Sequence, residues 1–279
     1  MRVLVTGANG FIGQALCPLL AARGMAVRPA PRRVERAALE GCDAVVHLAG
    51  AAHARFPPGV LEEANVELTA SWARGAAAAG VRRFVFMSSA KVFGESSRER
   101  PFDEADPPRP GDAYAASKWR AEQALAAQAG LDVAVLRPPL VYGPGVKANF
   151  LRLLQWVERG WPLPLARVRN RRSLVYVGSV AAAIAACLEH PRAAGRTFVV
   201  EDGALSTPDL VRAMALALGR PARLFPFPAA LIDRRLAASF EVSGARLRAE
   251  LGWKPAGDLA EGLRATAAWY RAGRNGIGG

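Results

Sequence analysis

The stretch Val5–Gly13, "VTGANGFIG", decides how this chain is read. It joins an apolar run, "RVLVT", to a segment whose apolar residues recur at helical spacing. Gly7, Gly10 and Gly13 fall three apart across that junction. Small residues in a strand-to-helix turn let the backbone approach a ligand closely. The free amides and positive end of the following helix then favour a diphosphate. The spacing is GxxGxxG, not the GxGxxG of the common dinucleotide fingerprint.

Outward from this turn, apolar runs alternate with amphipathic segments. A helix is expected from Phe11 to Arg23, then strands in "DAVVHLAG", "RRFVFMSS" and "LDVAVLRPP". Helices near Leu61–Ala79 and in "DAYAASKWRAEQALAAQ" separate them. Continuous apolar strands divided by helices imply a parallel sheet covered on both faces, a Rossmann-like doubly wound α/β domain. After Pro138 the pattern loosens. "KANFLRLLQWVERG" reads as a helix, "RRSLVYV" as a short strand, and "GSVAAAIAACLEH" as a helix returning to the sheet through "RTFVVED". "STPDLVRAMALALG" opens a further helix with Thr207 as N-cap and Pro208 in the first turn. The expected division is residues 1–143 plus 178–200 for nucleotide binding. Residues 144–177 plus 201–279 form a small, mainly helical substrate-binding cap.

The 279 residues are 51% hydrophobic and 22% charged, in keeping with a soluble globular protein. A net charge of +13 arises from 37 basic against 24 acidic residues, and only four of the basic ones are lysines. Attraction to an anionic ligand fits that balance. No aromatic-interleaved basic stripe or helix-turn-helix signature points to nucleic acid. Cys17, Cys42 and Cys187 are far apart and carry no metal-ligand spacing, so reduced thiols and no metal centre are expected. The longest apolar runs are too short to cross a bilayer. With a first strand entered at Arg2, a cytoplasmic protein without a signal peptide is expected.

"YAASK" carries the second chemical signal. Tyr114 and Lys118 are four apart on a predicted helix and so share one face. Tyrosine is a poor base at its reference pKa of about 10. A nearby ammonium favours the phenolate and makes it useful near neutrality. Ser89, at the C-terminal end of a predicted strand, lies where open α/β sheets place their ligands, and its hydroxyl can bond a substrate oxygen.

Together these segments resemble the extended short-chain dehydrogenase/reductases, the NAD-dependent epimerase/dehydratase family acting on nucleotide sugars. "TGANGFIG", "VVHLAG", "NVELT", "FVFMSSAKVFGE", "YAASK", "LRPPLVYGPG" and "RRSLVYVGSVA" carry the likeness over nearly the whole chain. The resemblance implies a catalytic triad of Ser89, Tyr114 and Lys118, with Ser89 preferred to Ser88. It implies an NAD(P)(H) site formed by Gly7, Gly10, Phe11, Ile12, Gly13, Leu48, Ala49, Tyr114, Lys118 and Pro138. Ser89, Lys147, Asn149, Arg172 and Arg235 match positions that hold the nucleotide-sugar substrate, most naturally a UDP-linked one. His47 matches a motif that packs through its backbone and is read as structural, while His53 and His190 have no supporting motif. A helix-mediated homodimer is the usual assembly in this superfamily.

Departures narrow the activity. Family dehydratases carry an Asp-Glu pair where this chain has Ala90 and Lys91, which argues against dehydration. Leu140 replaces an asparagine used by many epimerases. The expected enzyme is a UDP-4-keto-sugar reductase (4-keto-6-deoxy-hexosamine type), with a UDP-hexose or N-acetylhexosamine 4-epimerase as alternative. A non-catalytic NAD(P)-binding sensor or assembly protein is the alternative of another class.

"VRPAPRR", Val27–Arg33, occupies the second strand yet contains Pro29 and Pro31. Too few residues follow it for the third strand usual in the family. Without that strand the second becomes the sheet edge, where a proline loses no ladder bond. An NAD site places an acidic residue at this strand's end. Pro31, Arg32 and Arg33 stand there instead, which leans the cofactor towards NADP(H).

Overall fold

The computed structural model describes residues 1–31, 33–51, 56–97, 99–228 and 231–275, without the side chains of 234, 235, 274 and 275. Arg32, His53 and the Arg235 side chain therefore lie outside the described residues.

In chain order, β1 (Arg2–Thr6) leads through the glycine turn into α1 (Phe11–Ala22), followed by β2 (Ala26–Pro29), α2 (Arg36–Leu39) and β3 (Ala44–His47). A continuous helix then comprises α3 (Pro58–Leu61), a π-helical stretch (Glu62–Glu67) and α4 (Leu68–Ala78). Next come β4 (Arg83–Met87), a 3-10 turn (Ala90–Phe93), α5 (Ala113–Ala126), β5 (Asp132–Arg137) and β6 (Leu140–Tyr142). After α6 (Ala148–Glu158) follow β7 (Arg172–Tyr176), α7 (Val177–Glu189), β8 (Arg196–Val199) and β9 (Gly203–Leu205). The chain closes with α8 (Thr207–Ala217), α9 (Arg234–Ala237), α10 (Ala245–Leu251) and α11 (Leu259–Asn275).

Six strands form one sheet in the order β2-β1-β3-β4-β5-β8, all parallel. The inner strands β3 and β4 are buried at every residue, as a sheet covered on both faces requires. Val3, Val5, Val46, Val85 and Leu136 meet α1 and α7 on one face. Leu4, Val45, Phe84 and Phe86 meet Trp72 and Leu125 of α4 and α5 on the other.

β2 is the sheet edge, with no strand outside it among the described residues. Ala26 N–H bonds the Met1 carbonyl and Ala30 N–H the Val5 carbonyl, so even-numbered amides of β2 face β1. The nitrogen of Pro29 points to the open side, where no ladder bond is lost. Pro31 lies beyond the strand's last residue.

Three readings are corrected. After Pro138 the expected short strand in "RRSLVYV", β7, pairs with two strands that were not expected, β6 and β9, in a second sheet. β6 and β9 have three residues each, too few to show a period. The N-cap of α8 is Ser206, whose side chain accepts from Asp209 N–H, so the helix starts one residue earlier than expected. Thr207 is buried instead and engages Asn170. The helix expected over Leu61–Ala79 begins earlier, at Pro58, and is widened into π geometry in its middle.

A second apolar cluster, around Tyr142, Phe150, Leu154, Met214 and Leu263, joins the small sheet to α6, α8 and α11. Leu247, Leu251 and Trp253, in and just after α10, pack on the large-sheet cluster.

Candidate active site

At the first turn the glycines have separate steric reasons. Gly7 adopts φ +68, and a Cβ there would meet the backbone of Leu48 and Ala49. A Cβ at Gly13 would drive into the Gly7 and Ala8 carbonyl oxygens, so α1 could not start where it does. Gly10 is the exposed N-cap of α1, without a side-chain cap, and no acidic residue lies in the first turn. Unoccupied amides at a positive helix end fit the diphosphate of a dinucleotide. Phe11 and Ile12 follow in the first turn and are half-buried.

β1, β3 and β4 end side by side, and their ends carry the next residues. Thr6 Oγ1 accepts from the amides of Leu48 and Ala49, both at 3.1 Å, fixing the loop that faces Gly7. Fully buried His47 ties Thr6 to Thr69 through its two ring nitrogens. The Thr69 hydroxyl donates to the Asn65 carbonyl, which leaves its oxygen to accept from Nε2–H. Burial, and then the Lys118 charge, push the His47 pKa down to about 3, so the ring is neutral. His47 thus ties the end of β3 to Thr6 of β1 and Thr69 of α4 through its side chain.

Beyond Ala49 the loop reaches α5. Asn65, buried in the π-helical stretch, accepts from Ala51 N–H at 2.8 Å and donates to the Ala51 carbonyl and to Ser117 Oγ. A Cβ at Gly50 would crowd both Asn65 Oδ1 and Lys118 Nζ. Asn65 falls within "NVELT", and an asparagine with a threonine four residues on in a helix pattern is the sequence signal for it. π-Helical turns frequently mark functional sites.

Ser89, Tyr114 and Lys118 converge at the end of β4. Tyr114 faces the Ser89 side chain, which favours its phenolate, and Lys118 Nζ donates to the Met87 carbonyl at 3.0 Å. Asp112 caps α5 by accepting from Ala115 N–H, and so sets the helix that carries both. Burial pushes the Tyr114 phenol up to about 12, opposed by the Ser89 hydroxyl and reinforced by the Asp112 charge. Burial pushes the Lys118 ammonium down to about 8, opposed by Glu122 one turn on.

Glu122 has no motif in the sequence to mark it. It pairs with Arg137 through two hydrogen bonds and accepts from Ser88 Oγ, in a buried cluster. The Arg137 guanidinium lies 4.8 Å from the Phe93 ring centroid. Pro138, also buried, accepts from Ala90 N–H. Ser88 is thus a structural hydroxyl, directed away from its neighbour's task.

The substrate-side candidates are more scattered. Lys147 and Asn149 are exposed at the start of α6, on either side of Ala148, a non-glycine residue at φ +55. Lys147 also borders a cleft of about 320 Å3 shared with Asn9, Phe11, Gly145 and Trp269, between the glycine turn, α6 and α11. Arg172 in β7 is half-buried and donates to the Ala238 carbonyl at 3.0 Å. Arg33 is exposed beyond β2. Among the described residues there is no cluster of metal-ligating side chains, and no helix is long and apolar enough to cross a membrane.

Comparisons with known proteins agree with this geometry. The profile described as "NAD dependent epimerase/dehydratase family" matches residues 3–200. A UDP-glucose 4-epimerase of Vibrio cholerae is 34% identical over 317 aligned positions, covering 98% of this chain and 96% of its own. Those positions outnumber the 279 residues here, so the relative carries segments this chain lacks. A Thermus thermophilus UDP-glucose 4-epimerase in complex with NAD superposes with a TM-score of 0.81 at 28% identity, covering 97% of this chain and 99% of that one. RMD from Pseudomonas aeruginosa, complexed with NADPH, superposes with a TM-score of 0.82 at 27% identity, covering 97% and 99%. The chain belongs to the NAD-dependent epimerase/dehydratase family, the conclusion its turn, its paired tyrosine and lysine and its sheet all support.

Proposed function

We propose that this protein is an NAD(P)-dependent oxidoreductase acting at C4 of a nucleotide sugar, most closely a UDP-4-keto-sugar reductase. The observation that carries the reading is the convergence of Ser89 and Tyr114 beside a lysine anchored at the same strand end. The nicotinamide, when bound, exchanges a hydride with the sugar carbon. In the reductive direction the Tyr114 hydroxyl donates its proton to the C4 oxygen, and Ser89 hydrogen-bonds that oxygen. Lys118 holds the ribose and, as an ammonium, favours the phenolate left on Tyr114. Lys147, Asn149, Arg172 and Arg235 are assigned to the nucleotide diphosphate, for which an arginine fork is well shaped.

Two features favour one-way reduction. β2 is an open edge, so the adenine side has less protein around it and a spent cofactor exchanges more freely. Lys91 and Ala90 supply no carboxylate for dehydration. Pro31 and the exposed Arg33 in place of an acidic residue favour NADP(H). The second reading, a 4-epimerase, draws on the Vibrio cholerae relative.

The test supplies UDP-4-keto-6-deoxy-hexosamine with NADPH or NADH, and separately UDP-glucose or UDP-N-acetylglucosamine with catalytic cofactor. The reductase consumes one reduced cofactor per keto sugar. Many turnovers to the C4 epimer with no net change in nicotinamide absorbance identify the epimerase instead. No turnover in either assay, with cofactor retained, points to the non-catalytic alternative.

A further inference from the structure

Lys91 links both groups that are to handle the proton. Its backbone N–H donates to Ser89 Oγ at 3.2 Å, capping the 3-10 turn. A Ser89 hydroxyl turned towards Tyr114 favours the phenolate. The Lys91 side chain then crosses to α5, where its ammonium bonds Asp112 Oδ2 while Asp112 Oδ1 caps the helix. There it lies 5.9 Å from the centroid of the Tyr114 ring, within range of a cation–π attraction.

The phenol is therefore surrounded by opposed charges. The turn after β4 presents the Ser89 hydroxyl and the Lys91 ammonium. α5 presents the Asp112 carboxylate and, one turn on, the Lys118 ammonium. Asp112 resists ionisation of Tyr114. Lys91 is bonded to that same carboxylate and opposes it from the ring side. An ion pair with one partner half-exposed contributes little to folding, so its consequence is sought in the group it faces.

We propose that Lys91 is a positioning residue that, with Asp112, sets the proton affinity of Tyr114 and thereby the pH at which the enzyme turns over. This deepens the reading of Tyr114 as proton carrier and rests on it. Reduction leaves a phenolate on Tyr114, and the Lys91 charge offsets the repulsion that Asp112 exerts on that anion.

The experiment follows phenolate absorbance with oxidised cofactor bound, as wild type minus Tyr114→Phe, beside the pH profile of kcat. Lys91→Met should move both midpoints up by about one pH, a tenfold fall in phenolate at fixed pH. Asp112→Asn keeps the helix cap and should move them down. The double variant should return close to wild type, and Lys91→Arg should stay there. No movement in Lys91→Met, or movement in the same direction in Lys91→Met and Asp112→Asn, overturns the proposal. If Tyr114→Phe retains full turnover, the proton-carrier reading itself fails, whereas the absorbance difference still reports on Lys91.

Discussion

Lys118 Nζ is held 3.0 Å from the Met87 carbonyl, so the last peptide of the central strand β4 fixes the ammonium of the helix packed beside it. Burial pushes the lysine down to about 8 against the opposing charge of Glu122. If the protonated form holds the cofactor ribose, affinity weakens as pH rises through about 8. Lys118→Met should loosen cofactor binding at least tenfold at pH 7 and flatten that pH dependence. Equilibrium titration between pH 6.5 and 9.5 checks both.

Tyr114→Phe removes the phenolic hydroxyl and nothing else. Turnover should fall by a factor of about 10² to 10⁴, the usual contribution of a positioned acid–base group. Cofactor affinity should change less than twofold. Steady-state kinetics and a binding titration separate the two.

Breaking the buried cluster should be costly for folding. Glu122→Ala leaves the Arg137 guanidinium unpaired, with a penalty of about 3–5 kcal/mol. Replacing both partners by apolar residues of similar size should cost less than the single change. Denaturant unfolding of the single and double variants tests the order.

His47 makes folding sensitive to acid. Its folded pKa of about 3 lies below the ordinary 6.5, so the unfolded chain binds a proton that the folded chain refuses. The contribution is fully present above pH 6.5 and is lost as pH falls towards 3, amounting to several kcal/mol, up to about 5. His47→Gln should flatten the stability profile in that window, as read by urea unfolding at successive pH values.

Cofactor choice is tested by titrating NADPH and NADH into the protein. NADPH should bind tighter, with an advantage that shrinks as salt rises and disappears in Arg32→Ala/Arg33→Ala. Equal affinities in wild type would reduce those arginines to surface charge.

Local chemistry made much of this protein legible from its sequence alone. The glycine turn, the parallel strands and the Tyr114–Lys118 spacing each depend on residues a few positions apart, where backbone sterics and helical period act directly. Even the sheet edge was readable, because Pro29 cannot donate to a ladder and the chain after it is short. Only tertiary structure decided the rest. β6 and β9, of three residues each, carry no period and join the legible strand β7 across long intervals to make the small sheet. Glu122, Asn65 and Lys91 look like ordinary helix or turn residues until Arg137, Ala51 and Asp112 are folded against them. Their roles come from burial and from partners 14 to 21 positions away. Sequence spacing sets which groups share a face, but the charge a group feels is set by what the fold brings opposite it.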